Sequence, residues 1–133
     1  MVTSQSNQRP LTARQSVSAP VILYVTHQVD VTAFHVARLR EAGYNLQTVA
    51  TAEEALRKLD QVKPDVVIVG HRLNLSDRIK IEEGARLARP KPRIVLLYEN
   101  SIAQTEQADA VLNVNSEPQH LAQTIRYLLT GSD

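Results

Sequence analysis

Two histidines in this chain stand directly behind apolar runs, and a third run ends in a tyrosine and a carboxylate. His27 follows VILYVT (21–26), His71 follows VVIVG (66–70), and Tyr98–Glu99 follow IVLL (94–97). If those runs are neighbouring strands, two imidazoles approach each other with Glu99 as a third donor. Imidazole pairs favour a transition metal over magnesium, which prefers oxygen ligands. Two ligands do not define a site, however, and polar residues solvated at a strand edge explain the same pattern. The chemical alternative is a ligand- or metal-sensing pocket lined by His27, His71 and Tyr98. His35 belongs to a helix surface or its boundary and His120 to the start of the last helix, and the sequence identifies no partner for either.

Other chemistries are excluded more firmly. The four glycines, Gly43, Gly70, Gly84 and Gly131, are too far apart for GxGxxG or GxxxxGK[ST], so no backbone loop cradles a phosphate. There is no GxSxG elbow and no identifiable nucleophile–base pair, so the chain does not read as an enzyme. The absence of cysteine removes disulfides, thiolate zinc sites and cysteine nucleophiles, and is compatible with a reducing cytoplasm.

The elements that must position these residues alternate regularly. VILYVT is a β-branched and aromatic strand. A helix from Val29 to Ala42 stops at Gly43, a natural helix end. Its apolar residues Val31, Phe34, Val36 and Leu39 spread over a broad arc. NLQTVA (45–50) is the second strand. Thr51 then caps a helix with Glu54 completing a capping box, and Ala52, Ala55, Leu56 and Leu59 share one narrow face. Pro64 breaks the chain before VVIV (66–69). That run and IVLL are uninterrupted, as strands buried on both faces require. Between them a loop through Leu75 leads to a helix over about 76–89, with Ile81, Gly84, Ala85 and Ala88 on its small face, ended by RPKPR (89–93). The basic residues of that stretch read as a solvated turn. Residues 98–107 are short and weakly helical, AVLNV (110–114) is a fifth strand, and Pro118 opens a last helix carrying Leu121, Ile125 and Leu128. Strands alternating with helices imply a parallel sheet covered on both sides, with its functional edge at the strands' carboxyl ends.

Whole-chain numbers set the limits. With 133 residues the chain fits one domain, and 43% hydrophobic content argues against wholesale disorder. Fifteen Lys+Arg against fourteen Asp+Glu give no global pull toward nucleic acid or an anionic membrane. Residues 1–19 are rich in Ser, Thr, Gln and Arg without the apolar stretch of a secretory signal, so they read as a disordered polar tail. No segment has the run of roughly 20 apolar residues needed to span a membrane. The folded domain is expected over 20–131, in the cytoplasm.

From about Pro20 to Gly131 the chain resembles a response-regulator receiver domain, the CheY-like module of two-component signalling. The resemblance rests on REAGY (40–44), TAEEAL (51–56), KPDVVIVG (63–70) and ADAVL (108–112) in this order and spacing. It implies a doubly wound five-stranded parallel sheet of the flavodoxin/CheY type, strand order 2-1-3-4-5. In this family an aspartate accepts a phosphoryl group with the help of Mg²⁺, which an acidic pair after the first strand holds. Here the acidic pair falls on Thr26 and His27, and the phosphoacceptor on Gly70. The hydroxyl position falls on Tyr98, the lysine position on Val114, and the aromatic of the fifth strand on Val111. Gly70 cannot form an acyl phosphate, and Thr26 and His27 do not recreate the hard-oxygen site that Mg²⁺ needs. No aspartate lies within VVIVGHRLNL, so sliding the register does not supply an acceptor before Asp77, and Asp65 belongs to the opposite end of the sheet.

The resemblance therefore implies a degenerate, stand-alone receiver-like signalling domain in a phosphorelay-type pathway. It would act through protein–protein interaction, with no cofactor and no Mg²⁺. The expected partner is a protein, a histidine kinase or another regulator, with no nucleic acid and no membrane. The short segment after the fourth strand leaves the fourth receiver helix in question. Cobalamin-binding domains of related architecture carry DxHxxG after the first strand. VTHQVD (25–30) has the histidine but neither the aspartate nor the glycine.

Overall fold

The computed structural model describes residues 19–27, 29–71, 73–99, 108–115 and 118–131. The expected tail, except Ala19, and the weakly helical segment up to Gln107, except Tyr98 and Glu99, lie outside them. The described elements are β1 (Val21–Val25), α1 (Val29–Glu41), β2 (Asn45–Val49), α2 (Ala52–Val62) and β3 (Val66–Val69). They continue with α3 (Leu75–Leu87), β4 (Arg93–Tyr98), β5 (Ala110–Asn113) and α4 (Pro118–Thr130). The five strands form one sheet in the order β2-β1-β3-β4-β5, and all four pairings are parallel.

The period-two alternation of strand side chains divides the core into two layers. On one face Leu23, Val25, Val67, Val69, Ile94 and Leu96 pack with Ala52, Ala55 and Leu59 of α2 and Ile81 and Ala85 of α3. On the other, Ile22, Tyr24, Val66, Ile68, Val95 and Leu97 pack with Leu39 of α1 and Leu121 and Ile125 of α4. Every residue of β3 is buried, which is why its sequence is continuous rather than alternating.

Local signals account for most boundaries. The Thr51 hydroxyl accepts from the Glu54 amide at 3.1 Å, while the Glu54 carboxylate reaches back to the Ala50 amide at 3.2 Å, one residue before the expected cap. Gly43 closes α1 at φ +94°, a conformation that strains any side-chain-bearing residue. Lys63 ends α2 in the same left-handed region, at φ 48°, without being a glycine. α3 begins one residue earlier than its pattern suggests. The cause is Asn74, whose side-chain oxygen accepts from the Asp77 amide at 2.8 Å.

Two packing expectations change. His35 is not on the helix surface but buried, 4% exposed, on the α1 face that also carries Leu39. Leu56, expected on the buried stripe of α2, is 38% exposed and lies across α3 at Gly84, where a side chain would collide with its Cδ2 atom. The helix-weakening glycine thus permits the α2–α3 approach.

Candidate functional site

Strand register assembles the candidate positions. Val25 pairs with both Val49 and Val69, so Thr26 and Gly70 emerge side by side from the two central strands. Tyr98 pairs with Asn113, which places Glu99 and Val114 next to each other beyond β4 and β5. Thr26, His27, Gly70, His71, Tyr98, Glu99 and Val114 therefore all lie along the carboxyl edge of the sheet.

The local geometry at Gly70 is unusual. Its amide donates to the Val25 carbonyl at 2.8 Å, extending the β1–β3 ladder by one bond. A Cβ built on Gly70 would lie 2.6 Å from that carbonyl oxygen and 3.2 Å from both Cα and Cβ of Thr26. The nearest obstacle is backbone of β1, not the far end of a side chain that could rotate away. Gly70 is itself buried. Thr26 in turn donates its amide to Val49 O at 2.9 Å, so the strand that would have to move is tied to β2 as well.

The flanking positions differ among themselves in burial and contacts. Val114 is 3% exposed and belongs to the apolar layer under α4, and its amide donates to Tyr98 O at 2.7 Å. Tyr98 is half-buried and His27 exposed. The His71 side chain is 5% exposed and its Nε2 lies 4.0 Å from Glu99 Oε1, an ion pair whenever the imidazole is protonated. Register thus brings His71 and Glu99 together, as their strand-end positions suggest. Among the described residues no group of three or more His, Asp or Glu side chains is placed to hold a metal ion.

Sequence patterning missed the most tightly built polar pair near this edge. Tyr24 Oη lies 2.7 Å from His35 Nδ1, in a hydrogen bond whose donor depends on the histidine tautomer, and the rings stack with centroids 5.9 Å apart. Burial, with a smaller contribution from nearby His71, holds the His35 imidazole below the ordinary histidine range. One signal was available: His35 precedes Leu39 by four residues and so shares its face.

Two aspartates are engaged at the opposite edge of the sheet. Asp65 Oδ2 accepts from the Val21 amide at 2.8 Å, and the Asp65 amide donates to Val21 O at 2.8 Å. Asp109 Oδ2 accepts from the Ile94 amide at 2.7 Å, and Arg93 Nη1 lies 3.5 Å from Asp109 Oδ1. Asp65 thus marks the amino end of β3, at the edge opposite Gly70.

Comparison with known proteins places the fold. No family model matches the chain, and no curated protein matches it. Solved structures do. A putative response regulator from Chloroflexus aurantiacus J-10-fl is 24% identical, with 84% of this chain and 98% of that one covered and a TM-score of 0.75. The chemotaxis response regulator CheY4 of Vibrio cholerae is 20% identical, covering 84% of this chain and 99% of that one at a TM-score of 0.72. The pseudo-receiver domain of the CikA protein is 22% identical, covering 84% and 98% at a TM-score of 0.66. The chain has the CheY-like receiver fold.

Proposed function

We propose that this chain is a receiver-type signalling domain that works through protein–protein interaction in a two-component-type pathway, without aspartyl phosphorylation. The fold makes signalling the natural setting, and the site argues against the usual chemistry. One observation supports the reading: at Gly70, where the resemblance puts the acceptor, the side-chain space is already taken by the Val25 carbonyl. Phosphoryl transfer to a carboxylate needs the nucleophile, a cation to neutralise the transferring oxygens and room for in-line attack. Gly70 withdraws the first and the closed β1–β3 edge the last. Thr26 and His27 provide no carboxylate pair for the second.

The signal then leaves through surface contacts in the cytoplasm, to a histidine kinase or another regulator. Phe34, Leu75, Leu87 and Tyr127 are at least half exposed, large apolar side chains of the kind that anchor protein interfaces. Incubation with acetyl phosphate and Mg²⁺, followed by intact-mass measurement, tests the reading. No added phosphoryl group is expected. A stoichiometric, acid-stable and base-labile adduct contradicts it.

A further inference from the structure

The Tyr24–His35 pair has no part in that reading, yet it is the most deeply buried titratable pair described. Tyr24 is 1% exposed on β1 and His35 4% exposed on α1, so their bond ties the helix to the sheet. Two residues beyond Tyr24 the strand reaches Thr26, and His71 acts on His35 from the turn after Gly70. The pair therefore sits directly beneath the carboxyl edge.

We propose that Tyr24 and His35, with His71 beside them, form a proton-sensitive latch that holds α1 against β1 while His35 is neutral and loosens it when His35 is protonated. Neutral imidazole and phenol satisfy each other in a buried, stacked hydrogen bond. An imidazolium in the same place is a desolvated charge, costly to bury without a counter-ion. Among the described residues the groups around His35 offer none in direct contact. β1 presents the neutral phenol of Tyr24. The turn after β3 presents His71, whose protonation adds a like charge, and Glu99 at the end of β4 faces His71 at 4.0 Å. β2 and α4 contribute Leu46, Leu121 and Ile125 to the same layer, and the Arg126 charge of α4 acts on Tyr44. On α1 itself Arg38 is engaged with Glu41 at 3.2 Å. Acidification therefore places positive charge under α1, and release of the helix lets water reach it. Phe34, the residue before His35 and 70% exposed, would move with it, so the latch alters a surface that a partner can read.

The test is an NMR titration of the histidine ring protons in the whole chain, paired with amide hydrogen exchange, over about pH 7.5 to 5. His35 is expected to protonate below the ordinary histidine midpoint of 6.5. Exchange in α1, corrected for its intrinsic pH dependence, should rise about tenfold as His35 gains its proton. His35→Gln keeps an acceptor for the Tyr24 hydroxyl but cannot take up a proton, and should abolish that step. His71→Gln removes the neighbouring charge and should raise the His35 midpoint. A His35 midpoint at or above 6.5 in the wild-type chain, no exchange step, a step that persists in His35→Gln, or an unmoved midpoint in His71→Gln each overturns the latch. The wild-type titration decides even if a variant fails to fold.

Discussion

The two edges of the sheet put their polar residues to opposite uses. At the amino edge, Asp65 and Asp109 accept backbone amides at 2.8 and 2.7 Å and pin the starts of β1 and β4. At the carboxyl edge, where a phosphorylating receiver needs its acids, Thr26 and Gly70 are pressed together by backbone and Val114 is sunk in the core. A near-balance of acids and bases thus conceals a division: aspartates hold the scaffold at one end, while Thr26, His27 and Gly70 at the other carry no carboxylate.

Substitutions that exchange the characters of the two edges sharpen this contrast. The largest effect is expected at Gly70. Gly70→Ala drives a methyl into the Val25 carbonyl and should cost about 3 kcal/mol, lowering the melting midpoint by roughly 10 °C. At the other edge, Asp109→Ala leaves the Ile94 amide without its carboxylate and should cost about 2 kcal/mol in denaturant unfolding. If Gly70→Ala costs no more than Asp109→Ala, the carboxyl edge is less closed than its geometry implies.

Acidification should act mainly through the His35 layer. The unfolded His35 takes a proton near 6.5 and the folded one lower, so folded chains bind fewer protons in that interval. The contribution of His35 is therefore fully present above pH 6.5 and is lost as pH falls through that value toward the folded pKa. Chemical denaturation of wild type and His35→Gln across this window should show the difference, after subtraction of their common baseline. Smaller still is the cap of α2. Thr51→Ala should cost about 1 kcal/mol by loss of the bond to the Glu54 amide. Lys63→Gly, which relieves a left-handed side-chain-bearing residue, should gain less than about 1 kcal/mol.

Much of this molecule was legible in its sequence because the governing signals are local. The continuous runs VVIV and IVLL announced buried strands, Thr51 and Glu54 announced a cap, and Gly43 a helix end. The ordered anchors from REAGY to ADAVL pointed to the fold that the solved structures share, and the resemblance they carry is what puts Gly70 at the acceptor position. What stayed hidden depends on contacts between distant segments. A glycine in the sequence says that a side chain is missing, but not that a carbonyl from another strand occupies its space. His35 looked like surface because α1 has a broad apolar arc, and only the approach of β1 supplies the Tyr24 hydroxyl that makes its burial affordable. Leu56 departed from its stripe because Gly84, on a different helix, opened room for it.

The claim that the carboxyl edge is closed to acyl-phosphate chemistry is tested most directly by Gly70→Asp, exposed to acetyl phosphate and Mg²⁺ and followed by intact mass and thermal unfolding. The expected result is a protein markedly less stable than wild type that gains no phosphoryl group, because the new Cβ meets the Val25 carbonyl and no acidic pair holds the metal. A Gly70→Asp chain that melts like wild type and takes up one base-labile phosphoryl group would contradict it.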